Sequence, residues 1–282
     1  MTQQHLKHFR YVMGENPVTM FAFSLFALIV FLAVFGPLIT PHDPLATNAT
    51  NTLEPPSWNH AFGTDHLGRD VFSRVIAATR LDLCIAVSAV ALSFFIGGAL
   101  GCIAGFWGGW TDRIVGRFSD TIMAFPLFGL AMGIVASMGN TVENIIYATA
   151  IINLPFYARV ARAETSIRRN AGYVYAARLC GSSDARILAT QIFPNILPPM
   201  MVQISLNMGW AILNAAGLSF IGLGVRPPDA EWGIMVAEGA NYIVSGEWWL
   251  AIFPGVALML AVFCFNLLGD GLRDLVDPLR RT

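Results

Sequence analysis

Six stretches of this chain contain no Asp, Glu, Lys or Arg: 16–41, 83–111, 121–142, 144–158, 187–225 and 248–269. A helix needs about 20 mainly apolar residues to cross the hydrocarbon core of a bilayer, and these runs together hold 153 of the 282 residues. The composition agrees, with 55% hydrophobic residues, only 12% charged and a mean hydropathy of +0.59; a soluble domain of this size carries more charge. An all-α, polytopic membrane protein is expected, and soluble enzymes and nucleic-acid-binding proteins are excluded.

Two runs need argument. The fourth has 15 residues and rises only about 22 Å as a helix, but Arg159 can snorkel and Glu143 sits at an interface. The fifth is too long for one span and too short for two with a turn; Pro194, Pro198, Pro199, Gly222 and Gly224 put both of its ends outside a single span. Six transmembrane helices result. Placing both termini on the cytoplasmic side makes 1–15, 112–120, 159–186 and 270–282 the inner segments, with 13 of 17 basic but only 8 of 18 acidic residues. Arg69, Arg74, Arg80 and Arg226 fall outside. That is the positive-inside pattern. The charged first 15 residues and the long run behind them, which lacks a small-residue exit, read as a retained first span.

The outer segments are unequal. Loop 42–82 is rich in Pro and Asn, then turns amphipathic in TDHLGRDVFSRVIAATR. Thr64 or Asp65 can cap a helix there, Asp70 and Arg74 lie four apart, and a surface-lying helix leading into the second span is expected. Loop 226–247 carries Asp229, Glu231, Glu238 and Glu247 against Arg226 alone, which suits either an extracytoplasmic partner or plain solvation. Gly97, Gly101, Gly105 and Gly109 repeat every four residues and form a small-residue helix face; packing within the chain and against a second subunit both fit.

Several chemistries are missing. Every histidine (His5, His8, His42, His60, His66) precedes the second span and no H-E-x-x-H occurs, so an intramembrane hydrolase has no constellation to work with. Cys84, Cys102, Cys180 and Cys264 are scattered, without the spacing of a zinc site or disulfide framework. No span carries an ionisable residue, which disfavours proton coupling, and Asn153, Asn207 and Asn214 are expected to bond neighbouring helices. The sole lysine is Lys7, so a phosphate-binding loop is impossible. No cofactor and no metal is expected in this chain, and any use of ATP with Mg²⁺ must reside in partner subunits.

The largest inner segment runs from Arg159 into the fifth span. Tyr173, Val174, Ala176, Ala177 and Leu179 form a short helical piece that stops at Gly181, a natural left-handed position. A new helix can start at Ser182, Ser183 or Asp184 and should stop or kink before Pro194. Arg162, Arg168, Arg169, Arg178 and Arg186 suit an ordinary connector anchored at the lipid surface as well as they suit a docking element.

This segment resembles the E-A-A-x3-G-x9-I-x-L-P loop of ABC importer permeases. Ala176, Ala177, Gly181 and Pro194 match, whereas Tyr175, Gln191 and Phe193 stand in place of Glu, Ile and Leu. Further stretches in the same order, GPLITPHDP, HAFGTDHLGRDVFSRVIAATR, LSFIGLGVRPPDAEWG and FNLLGDGLRDLVDP, are similar to the C-type permease subunit of the dipeptide, oligopeptide and nickel permease family. The likeness runs from about residue 14 to the end.

The resemblance implies a type I ABC importer permease (MetI-like) fold in the bacterial cytoplasmic (inner) membrane. Residues 1–17 would be cytoplasmic, 18–40 the first span and 41–81 an extracytoplasmic loop. Residues 82–271 would form the five-helix core, with a coupling loop 162–195 and an extracytoplasmic loop 222–248, and 272–282 a cytoplasmic tail. The partners implied are a second, B-type permease forming a heterodimer, two ATPases on the cytoplasmic side and an extracytoplasmic solute-binding protein. Tyr173, Tyr175, Ala176, Ala177, Arg178, Gly181, Ser182, Asp184 and Pro194 would couple to the ATPases. Gly63, Thr64, Asp65, Gly68, Arg69 and Asp70 form the family's GTDxxGRD marker and would help to seal or gate the outer side; a capped helix with an internal Asp70–Arg74 pair is the plain alternative. Peptides are the expected cargo, with nickel, opines or oligosaccharides as the family's other choices. A self-sufficient channel or secondary carrier is the reading from another class.

Overall fold

A computed structural model describes residues 17–276. The expectations for 1–16 and 277–282, which include Lys7, His5, His8 and most of both terminal segments, lie outside the described residues. Within them the chain is helical: α1 (Pro17–Ile39), α2 (Val71–Trp107), α3 (Gly109–Met123), α4 (Leu127–Met138), α5 (Val142–Arg168), α6 (Gly172–Leu179), α7 (Asp184–Ile187), a π-turn (Leu188–Ile192), α8 (Phe193–Phe220), α9 (Trp232–Ala240) and α10 (Trp249–Val276). No strand is present among the described residues, only an isolated bridge between Thr64 and Asp70. The last helix runs beyond 271 and the second begins well before 82, so the helices overrun the expected segment boundaries.

Four continuous helical stretches are long and apolar enough to cross a bilayer: Pro17–Ile39, Val71–Trp107, Asp184–Phe220 and Trp249–Arg273. The bent pair α3 and α4 would make a fifth. α1 shows why the surrounding medium is lipid. It buries only Thr19, Ala22, Ile29 and Gly36, roughly one face, and exposes Phe21, Leu28, Phe31, Val34 and Leu38 on the others. Its contact with α2 is close at Gly36, where a Cβ would lie 2.8 Å from Ile76 Cγ2. Phe26 meets Phe265 of α10 edge-on at 5.9 Å.

The third charge-free run is not one continuous helix. The chain bends by 87° between α3 and α4, because Pro126 donates no backbone hydrogen bond and disfavours helical geometry at Phe125. Segment 112–120, expected as an inner segment between spans, lies inside α3, whose Asp112 and Asp120 pair with Arg162 and Arg159 of α5. Only the 12 residues of α4, about 18 Å of helix, continue the run.

α2 is a single helix of 37 residues, about 55 Å long, so its first turns project beyond a hydrocarbon core of about 30 Å. The helix expected to lie on the surface is instead the buried first part of α2: Val71, Ser73, Arg74 and Val75 are covered by loop 40–70 and α9. Further along, its glycine face packs within the chain. A Cβ at Gly97, Gly101 or Gly105 would meet the carbonyl oxygens of Leu154, Ala158 and Arg162 at 2.5, 2.3 and 2.6 Å, and Ser93 Oγ donates to Ala150 O at 3.0 Å. Two four-residue ladders thus run side by side, backbone against backbone. Gly109 lies past the end of α2 at φ +58°, with nothing near it.

α8 has Pro194, Pro198 and Pro199 near its start. The π-turn at Leu188–Ile192 absorbs the disturbance, and the helix continues from α7 without stopping at Pro194.

Candidate functional site

At one end of the bundle, α6 lies between the C-terminus of α5 and the start of α7. Its termination is the expected one: Ser182 N–H donates to Ala177 O at 3.0 Å and Gly181 N–H to Arg178 O at 2.9 Å, with Gly181 at φ +79°. That double bond pattern closes a helix with a left-handed residue and ties off its last carbonyls. Ser183, of the three candidates, caps α7, its Oγ accepting from Arg186 N at 3.4 Å; Asp184 occupies the first turn, where a negative charge is favoured.

α6 has two unlike faces. Val174 is fully buried and Ala177 is half-buried, while Tyr173, Tyr175, Ala176 and Leu179 are exposed, Leu179 at 90%. Arg178, read from sequence as a charge available to a partner, is engaged by its own chain. Its Nε lies 3.3 Å from Asp184 Oδ1 and its guanidinium sits 5.4 Å over the Phe106 ring. Arg162 and Arg168 form ion pairs with Asp112 and Glu164, and Arg169 donates to Gly105 O at 3.2 Å. Arg178 therefore ties α6 to α2 and α7, while the other three brace the adjoining end of α5, within itself and against α2 and α3. Pro194 lies exposed at the start of α8. Phe106 was missed in the sequence because its role depends on α2 ending beside α6.

At the opposite end, the six marker residues fall in one buried knot. Gly63 and Gly68 take φ of +74° and +73°, and a Cβ would lie 2.6 Å from Glu54 O at the first and 1.9 Å from Asn48 O at the second. Thr64 Oγ1 donates to Asn51 O and accepts from Glu54 N, and Thr64 O accepts from Trp249 Nε1 at 3.3 Å. Asp65 accepts from Leu67 N and Arg69 N through Oδ1 and pairs through Oδ2 with Arg69 Nε at 2.6 Å. Arg69, 2% exposed, also faces Glu238 of α9 at 3.6 Å.

Neither Thr64 nor Asp65 caps α2. Asp70 does, accepting from Ser73 N at 2.8 Å. Its other partner is His60 Nδ1 at 2.9 Å, with His42 at 3.8 Å, a grouping that sequence reading did not find because His42 is remote in the chain. Arg74 turns away from the expected Asp70 pairing, toward Asp65 at 3.7 Å and the carbonyls of Pro44 and Pro228 at 3.1 and 3.3 Å.

Loop 226–247 is not simply solvated either. Glu231 is fully buried and caps α9 through Gly233 N and Ile234 N, both at 2.8 Å. Burial raises its carboxyl above the ordinary range, with the two backbone donors opposing. Asp82 of α2 is its acidic neighbour and accepts from Trp232 N at 3.1 Å. Asn153 and Asn214 bond within their own helices, whereas Asn207 bonds Gln203 on its own helix and also meets the Tyr157 hydroxyl of α5.

The chain matches, over residues 97–282, the family described as binding-protein-dependent transport system inner membrane component, and over residues 6–56 the N-terminal transmembrane domain of oligopeptide transport permease C. It belongs to this family, the transmembrane permeases of ABC importers. Among its relatives is the protein named "Probable D,D-dipeptide transport system permease protein" of Escherichia coli K12, 42% identical over 95% of this chain and 90% of the relative. The dipeptide transport system permease of Alkalihalophilus pseudofirmus is 39% identical over 94% of this chain and 86% of its own length. A glutathione transport system permease of Pectobacterium atrosepticum is 40% identical over 89% and 83%.

Proposed function

We propose that this permease imports small peptides, paired with a second, B-type permease and driven by two ATPases that bind and hydrolyse ATP with Mg²⁺ in partner chains. Cargo would arrive from an extracytoplasmic binding protein. The α6 end and both termini face the cytoplasm, and the chain crosses the membrane six times, α5 supplying one crossing and α4 completing another. The peptide cargo is supported by the names of the relatives, and the orientation by the 13 basic residues on the segments assigned inside.

The observation that carries the coupling role is α6 itself. It is a short helix held to α2 and α7 through Arg178, with Val174 buried and two tyrosines and Leu179 exposed. Large, stiff aromatic side chains are efficient interface anchors, and a rigid braced helix passes on a rigid-body displacement without dissipating it. Tyr175, standing where the family loop has Glu, makes this contact by area and not by charge. At the other end, the GTDxxGRD knot ties loop 42–70 to α2, α9 and α10 and serves to close the outer side.

The test is a photo-crosslinking residue at Tyr175 in the assembled importer. An adduct with an ATPase subunit is expected. Adducts with lipid alone would sink the coupling assignment.

A further inference from the structure

Five side-chain amides converge on one cavity halfway along the bundle. The cavity has a volume of about 270 Å³ and is bordered by Asn153 of α5, by Gln203, Asn207, Trp210 and Asn214 of α8, and by Asn266 of α10. No charged side chain and no histidine borders it. Asn153 and Asn207 fall near the centres of α5 and α8, the depth at which unpaired polar groups are most costly.

The hydrogen bonds of these amides are one-sided. Asn153 Nδ2 donates to Thr149 O at 3.0 Å, Asn214 Nδ2 to Trp210 O at 2.8 Å and Asn266 Nδ2 to Val262 O at 2.9 Å, each one turn back on its own helix. One donor hydrogen of each is thus occupied, and the second hydrogen and the Oδ1 acceptor remain. Asn207 is the complement: its Oδ1 accepts from Gln203 Nε2 at 3.0 Å, and its Nδ2, in a residue only 4% exposed, completes no hydrogen bond of normal geometry and has the Tyr157 hydroxyl of α5 as its neighbour. An unpaired buried amide costs about 1–3 kcal/mol, which an apolar side chain of the same size would not. Within the chain only the Tyr157 hydroxyl is near enough to answer that donor, and the two groups do not close a full hydrogen bond.

We propose that this cavity is a transient binding site for the main chain of a peptide in transit, an inference that rests on the peptide cargo proposed above. A peptide bond offers one N–H and one C=O, which the remaining acceptors and the Asn207 donor complement whatever the cargo's side chains. The lack of fixed charge fits the task. A pathway must bind its cargo well enough to admit it and weakly enough to release it, and a buried ion pair with either terminus would hold it.

The test uses the complete importer in proteoliposomes with a radiolabelled dipeptide, reading peptide transported per ATP hydrolysed. Asn207→Leu is expected to lower that ratio at least fivefold, leave ATP hydrolysis stimulated by loaded binding protein within twofold of wild type, and keep or raise the melting temperature. Asn207→Gln should restore at least half of the wild-type ratio. Should Asn207→Leu fail to insert, Gln203→Met takes its place, with the same fivefold criterion. A ratio within fivefold of wild type, or uptake and stimulated hydrolysis falling in step, overturns the site. Wild-type importer that moves no dipeptide overturns the cargo reading, and this site with it, and is distinct from a result in which wild type and variant both transport.

Discussion

Gly68 has no room for a side chain, since its Cβ would lie 1.9 Å from Asn48 O and its φ is +73°. Gly68→Ala must therefore open loop 42–70, and a loss of about 2 kcal/mol or more is expected in thermal unfolding in detergent. Gly181 is the contrasting case. It also has positive φ, at +79°, but nothing lies within 4 Å, so only the backbone objects. Gly181→Val should strain the end of α6 by about 1–2 kcal/mol and reduce transport with little change in overall melting, whereas Gly181→Asn, which tolerates that conformation, should retain most activity. Equal transport by the two variants would separate the bend from coupling. Asp65 stands between two arginines that are 2% exposed. Asp65→Ala leaves both positive charges buried and should cost about 3–5 kcal/mol.

The α2–α5 seam makes a prediction at the level of elements. Gly101→Leu forces a side chain onto the Ala158 carbonyl, 2.3 Å from where its Cβ would be, and should abolish stable expression. Gly116→Ala in α3 meets nothing within 4 Å and should be neutral or stabilising by up to about 1 kcal/mol. The junction of α2 and α9 is expected to respond to pH. Glu231 has a raised carboxyl, so the folded protein binds a proton there that the unfolded chain releases; stability is full below the ordinary carboxylate value and falls as pH rises through the raised one. A melting temperature that declines as pH rises above the ordinary carboxylate range and flattens in Asp82→Asn, whose amide can donate to Glu231, would fit. A rise with pH would contradict the buried-acid account. The elements differ in how legible they were from sequence. Charge-free runs mark the long spans because lipid tolerates no exposed charge, and the glycine ladder marked a seam. Neither signal senses the bend before Pro126, which breaks a run without adding a charge. The outer knot was legible as motif residues but not as pairings, since Arg69 finds Glu238 and Asp82 finds Trp232 across more than half the chain.

At the scale of the whole molecule, the two ends are built differently. The end carrying the GTDxxGRD residues is closed by buried ion pairs and backbone bonds, while the end carrying α6 leaves Tyr173, Tyr175 and Leu179 uncovered. Phe106, Arg178 and Asp184 link that surface to α2 and α7, so force applied to α6 reaches the bundle through a stiff, short path. The dependence on other chains proposed above accords with a sequence whose sole lysine is Lys7. The most direct test is uptake of a radiolabelled dipeptide into proteoliposomes containing this permease and its partner subunits, with each subunit and ATP omitted in turn. Uptake that requires ATP and every subunit is the predicted result; ATP-independent flux through this chain alone would contradict it.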